Sequence, residues 1–194
     1  MKNYGERYIT PLEILVTMTE KEMRKEYSRL RKVANGRLRT LKNSEIGRRS
    51  YTWRRYEDEF QSARGKSKAE IAHRLSNVYY FLSLQESSVT GLKKMRDAFI
   101  ESMHDSGYTW INKDNYYDFI EFMETVKAYY DVVSYDSDRA VDVFDVMTQA
   151  GFSTDDLKND FDWWFENYRK INSKPIKAGM TYEEYKKYVE GKNG

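Results

Sequence analysis

One stretch near the N-terminus leaves the chain little choice of secondary structure. Thr19 and Glu22 stand at the spacing of a capping box, in which each side chain satisfies an amide at the other's position. Met23, Tyr27, Leu30, Ala34, Leu38 and Leu41 follow at steps of four and three. Steps of that size place every one of them on the same side of an α-helix, so the segment predicts a long amphipathic helix from Thr19 to about Lys42. Gly36 falls inside it, and a close helix approach or a kink is expected there.

The rest of the chain repeats this pattern. Only two prolines and ten glycines occur in 194 residues, too few for a many-stranded sandwich with frequent turns. Ser67 and Glu70 form a second capping box before Ile71, Leu75, Val78 and Leu82. Ser87 or Ser88 opens a helix carrying Leu92, Met95, Phe99 and Met103. Another runs from about Asn112 or Asp114 to Val133. Ser153 or Thr154 caps a helix whose Leu157, Phe161, Trp164, Phe165 and Tyr168 are expected to face a core, and Thr181 with Glu184 caps the last. Residues 1–18 read as a mixed leader, extended at Tyr8–Thr10 because a proline biases its predecessor away from helix. Residues 43–50 read as a loop. The expected fold is all-α, a bundle of seven or eight helices with no strand. It is arranged as subdomains 1–105 and 106–194, or as one compact domain.

Composition excludes several functions. The absence of cysteine removes disulfides, zinc–thiolate sites and thiol catalysis. No run of eighteen apolar residues is present, and Ile9–Met18 is too short and too broken for a signal peptide, so a cytoplasmic protein without a membrane segment is expected. His73 and His104 are the only histidines, and neither belongs to a legible triad. No glycine-rich phosphate loop is present, and Ser87–Lys94 lacks its spacing. No enzyme, metal site or cofactor is expected.

The net charge of +2 hides an asymmetry. Residues 1–96 hold 22 Lys and Arg against 11 Asp and Glu, whereas residues 97–194 hold 11 against 20. The basic excess is concentrated on the first long helix, where Lys21, Arg24, Lys25, Arg29, Arg31, Lys32, Arg37, Arg39 and Lys42 oppose Glu20, Glu22 and Glu26. Arg48, Arg49, Arg54 and Arg55 continue it, interleaved with Tyr51, Trp53 and Tyr56. Guanidinium forks match phosphate oxygens, and neighbouring rings stack on bases. A surface binding DNA or RNA is expected from Lys25, Arg29, Arg31, Lys32, Arg37, Arg39, Arg48, Arg49, Arg54 and Arg55. The competing expectation is that these cations pair with the acidic half. That half carries Asp136, Asp138, Asp142, Asp145, Asp155, Asp156, Asp160, Asp162 and Glu166, which suit a protein partner or a solvated surface. Trp163–Trp164 reads as one buried and one half-exposed ring.

Tyr27–Leu41, with the basic-then-acidic order of the chain, resembles the terminal proteins of phages and linear plasmids that use protein-primed DNA replication. The resemblance implies a DNA-binding N-terminal region and an acidic helical C-terminal region that occupies a polymerase's duplex channel. It also implies a loop hydroxyl that accepts the first nucleotide, for which Ser134, Tyr135 and Ser137 are the candidates and Ser173 a further one. Ser137 reads equally as a helix N-cap. The leading expectation is therefore a nucleic-acid-binding helical protein of a phage or mobile element, with terminal-protein action as its finer form. The alternatives are a virion component or adaptor that assembles with itself by charge complementarity, and an inhibitor whose acidic half mimics nucleic acid.

Overall fold

The computed structural model describes residues 8–50, 52–129, 153–174 and 180–191. The described residues form nine α-helices and one 3-10 turn, and no strand. In order these are α1 (Pro11–Thr17), α2 (Glu20–Asn43), α3 (Glu45–Arg49), α4 (Thr52–Tyr56), α5 (Lys68–Ser83), the turn Gln85–Ser87, α6 (Val89–Asp105), α7 (Tyr116–Tyr129), α8 (Thr154–Ser173) and α9 (Tyr182–Glu190).

Five of these helices start at capping boxes: Thr10–Glu13, Thr19–Glu22, Ser67–Glu70, Ser153–Asp156 and Thr181–Glu184. In each, the N-cap hydroxyl accepts from a backbone amide while the carboxylate accepts from the cap's own amide, satisfying donors that a helix start leaves without partners. These bonds favour the ionised carboxylate. The Ser67 amide, then its hydroxyl and Lys66, lower the Glu70 pKa from 4.5 to about 2. The Thr19 and Ser153 hydroxyls lower Glu22 and Asp156 in the same way, and the Thr181 amide lowers Glu184.

The chain divides into two compact units, one ending at Ala98 and the other beginning at Phe99. The division falls inside α6. Leu92 of this helix is buried in the first unit, whereas Ile100 and Met103 belong to the core of the second.

In the first unit α2 packs along α5, and α1 also packs on α5. All six residues of the α2 stripe are buried, as are Ile71, Leu75, Val78 and Leu82 of α5. Tyr56 and Phe60 stack with ring centroids 6.0 Å apart, and both lie against Phe81. Polar groups in and beside the α2 stripe bond the segment before α5. Tyr27 donates to the Gln61 carbonyl at 2.6 Å and Asn35 to that of Phe60 at 3.2 Å. The Arg24 guanidinium donates to the carbonyls of Ala63 and Lys66.

Two short helices depart from the sequence expectation and raise the helix count. Residues 11–17 are helical, not part of a leader. Thr10 is indeed extended (φ −70°, ψ 154°), but as the N-cap of α1, with Pro11 in the first turn where a missing N–H costs nothing. Residues 45–49 form α3 instead of a loop. Ser44 accepts from the Gly47 amide at 3.0 Å and donates to the Leu41 carbonyl at 3.0 Å, so one side chain ends α2 and starts α3. A Cβ on buried Gly47 would lie 2.1 Å from the Leu41 carbonyl oxygen, so only glycine lets the two backbones approach this closely.

In the second unit Phe119, Phe122, Phe161 and Trp164 form an aromatic core with Ile111, Leu157 and Tyr185. Phe165 and Tyr168 do not join it; they are 54% and 38% exposed. Asn167 takes the inward position, donating to the Trp163 carbonyl at 2.8 Å, and Ile171 continues the apolar face. Trp164 is buried and Trp163 half-buried, its indole N–H donating to Glu190 at 2.9 Å. The α8–α9 contact is fastened by Lys186, which bonds Asp160 and lies 4.8 Å from the Tyr182 ring centroid. Burial works against the charge on Lys186, but the bonds to Asp160 and Glu183 outweigh it and the pKa is raised.

Gly47→Ala is expected to cost about 1–3 kcal/mol by forcing the α2–α3 backbones apart, measured by urea unfolding. A second expectation concerns acid. The folded-state pKa of Glu70 is depressed, so its contribution is complete above about pH 4.5 and disappears as pH falls toward 2. Thermal melts of Glu70→Gln and the wild type should therefore differ most near neutral pH and converge through that window.

Candidate nucleic-acid interface

Burying one stripe of α2 fixes what the opposite side presents. At 3.6 residues per turn, Lys21, Lys25, Ser28, Lys32, Gly36, Arg39 and Asn43 fall within an arc of about 80°, centred opposite the apolar stripe. All seven are exposed. The strip is about 33 Å long at 1.5 Å per residue and contains no carboxylate. Among the described residues, none of its side chains takes part in an ion pair or hydrogen bond.

The acidic residues of α2 lie off the strip, with the cations they hold. Glu20 bonds Arg24 at 2.6 Å, and Glu26 bonds Arg29 at 2.7 Å. Lys42 pairs with Glu57. On the flanks of α2, then, cations among the described residues pair with carboxylates of the same basic half, Glu20, Glu26 and Glu57, and not with those of the acidic half.

The sequence-derived residues sort accordingly. Lys25, Lys32 and Arg39 are on the strip. Arg29 stands beside it in its pair with Glu26, and Arg31 is part-exposed on the flank. Arg37 turns the other way: its guanidinium donates to buried Ser87 at 2.7 Å and to the Leu82 carbonyl at 3.2 Å, joining α2 to the turn after α5. Arg48 and Arg49 are exposed at the end of α3. Arg54 and Arg55 are exposed on α4, and their guanidinium carbons lie 5.4 Å from the Trp53 ring centroid and 5.9 Å from that of Tyr56.

Base stacking by the interleaved aromatics is corrected in part. Tyr56 is buried, which also raises its phenol pKa, and offers no free face. Trp53 is half-buried, with Lys42 5.0 Å from its centroid. Tyr51 lies outside the described residues, as do Ser134, Tyr135 and Ser137. Ser28 and Asn43 were missed in the sequence because uncharged residues carry no signal in a charge count; the helical period read on the outer side would have found them.

A cleft of about 530 Å³ also opens between α4 and α5. Arg54, Arg55, Arg74 and His73 line it, but so do Asp58 and Glu59. The mixed signs make it a poorer match for a polyanion than the strip on α2.

Some carboxylates of the acidic half are engaged where they are described. Asp156 is in a capping box, Asp160 is held by Lys186 and Asp162 by Lys158, while Asp155 and Glu166 are exposed. Asp136, Asp138, Asp142 and Asp145 lie outside the described residues. Among the described residues no three His, Asp or Glu side chains converge as a metal site, and no helix is long and apolar enough to cross a membrane. His104 donates through Nε2 to the Ile111 carbonyl at 2.6 Å, a structural bond.

Gly36 is a further departure from the sequence expectation. The interior of an exposed helix is a costly place for glycine, about 1 kcal/mol worse than alanine. A Cβ there would meet nothing within 4 Å, so among the described residues no neighbouring helix approaches it. The helix runs on through the position, with the Thr40 hydroxyl donating to the Gly36 carbonyl at 3.0 Å.

No protein-family model, curated protein or solved structure matches this chain.

The two classes of arginine separate by experiment. Arg37→Met should lower stability by about 1.5–3 kcal/mol, the usual worth of a charge-assisted hydrogen bond, because it leaves Ser87 and Leu82 without their donor. The same change should leave the salt dependence of any polyanion binding unaltered, whereas Arg39→Met should do the reverse.

Proposed function

We propose that this chain binds nucleic acid through the outer strip of α2, by contacts to backbone phosphates. The observation that carries the reading is the strip itself: four cations on one line of the helix, exposed, with no carboxylate among them and without ion-pair partners among the described residues. A helix that only needed solubility would be served by mixed charge, and the flanks of α2 have it in the Glu20–Arg24 and Glu26–Arg29 pairs. The strip lacks that neutralisation, and a polyanion supplies it by releasing condensed counterions. Arg48 and Arg49 of α3 extend the same chemistry beyond the end of α2. The contacts are sequence-independent, because phosphates position a protein and base edges specify it.

The finer proposal is action in phage or mobile-element DNA replication as a primer protein. It is supported by the resemblance of Tyr27–Leu41 to terminal proteins and by the basic-then-acidic order of the chain. In that role the α2 strip holds template, and a hydroxyl among Ser134, Tyr135 and Ser137 receives the first nucleotide.

Fluorescence anisotropy over a range of salt concentrations tests the binding. The logarithm of the association constant for a duplex should fall linearly with the logarithm of salt. Single alanine changes at Lys25, Lys32 and Arg39 should each reduce the slope by about 1, with similar losses for unrelated sequences. A wild-type protein that shows no salt-dependent binding to DNA or RNA would remove the proposal.

A further inference from the structure

Among the described residues nothing packs on Gly36. Its backbone is helical, its position is exposed, and open space surrounds the place of a Cβ. The helix would be more stable with alanine. Gly47 offers the contrast, since there the neighbouring backbone forbids a side chain. Gly36 also lies on the carboxylate-free strip, one turn after Lys32 and one turn before Arg39. A bare backbone between two unpaired cations makes a shallow saddle, and glycine is the residue that lets another chain come close to a helix.

We infer that Gly36 is the point at which one sugar-phosphate strand of a DNA duplex crosses α2, with Lys32 and Arg39 holding phosphates on either side. The inference rests on the nucleic-acid reading above and adds to it a place and a form of nucleic acid. The exposed side chains of the strip are Lys, Ser, Arg and Asn, with no aromatic ring among them. Single strands are held chiefly by stacking on rings, which this surface does not offer. With one strand crossing at Gly36, the helix continues over the major groove beside it, which in B-form DNA is about 12 Å wide and admits side chains. The deep, narrow major groove of duplex RNA excludes them. Removing the Cβ brings the strand nearer the helix axis, within reach of both flanking side chains. Asn43 and Ser28 are further donors along the same line, beyond Arg39 and before Lys32.

The test is a size series at Gly36 in the full chain, with thermal melting and duplex affinity measured on the same preparations. Gly36→Ala should raise the melting temperature by about 2–4 °C, as expected for relieving a helical glycine in a chain of this length. The same change should weaken duplex binding at least about threefold, and Gly36→Leu at least about tenfold, with a shallower salt slope as a phosphate contact is lost. A variant that is more stable yet binds worse is the expected signature, since damage to the fold would move both quantities down. If Lys32→Ala and Arg39→Ala weaken binding while both Gly36 variants bind like the wild type, the crossing point is wrong and the nucleic-acid reading survives. If the wild type binds a single strand or duplex RNA of equal length more tightly than duplex DNA, the duplex assignment is overturned. If it binds none of them, both readings fall together.

Discussion

The burial of Met23, Tyr27, Leu30, Ala34, Leu38 and Leu41 against α5 sets the rotation of α2 about its axis, and much of the first unit takes its arrangement from that rotation. Tyr27 within the stripe and Arg24, Asn35 and Arg37 beside it donate hydrogen bonds to carbonyls of the connection before α5 and of the end of α5. Side chains on the far side are left in water. A rotation of one residue position, about 100°, would carry cations toward the core, where an unpaired charge is prohibitively unfavourable. The hydrophobic contact thus determines which basic residues are structural and which remain available. This accounts for two arginines as close as Arg37 and Arg39 having opposite surroundings.

Much of the fold was readable from side-chain spacing, and its failures are equally physical. The apolar stripe of α2, the face of α5, and the caps at Thr19, Ser67, Ser153 and Thr181 are local patterns in which periodicity and capping agree. Helices α1 and α3 escaped because seven and five residues are too few for a period to register. Thr10–Pro11 with Glu13, and Ser44 before Gly47, were the available signals, but each reads equally as a turn. The inward placement of Phe165 and Tyr168 failed for another reason. Hydrophobicity favours burial, but α8 has a limited inner face, and Asn167 occupies it with both ends of its amide bonded.

The candidate interface was legible in its location and not in its membership. Charge counting identified α2 and treated all its cations alike. Three-dimensional pairing then separated the strip from Arg24, Arg29, Arg37 and Lys42, which no count of charges does. In the acidic half a cap and two lysine partners engage three of the carboxylates that stood out in the sequence. Gly36 was expected to mark a close helix approach or a kink, and among the described residues no neighbour approaches the place of its Cβ.

Helix α6 carries a consequence for how such a protein changes over evolutionary time. Leu92 serves one core, and Ile100 and Met103 serve the other, on one uninterrupted run of backbone hydrogen bonds. Domains that recombine freely are joined by linkers that can be cut and respliced without exposing apolar surface. Here the seam runs through a helix, and any exchange at that point would strip one unit of part of its interior.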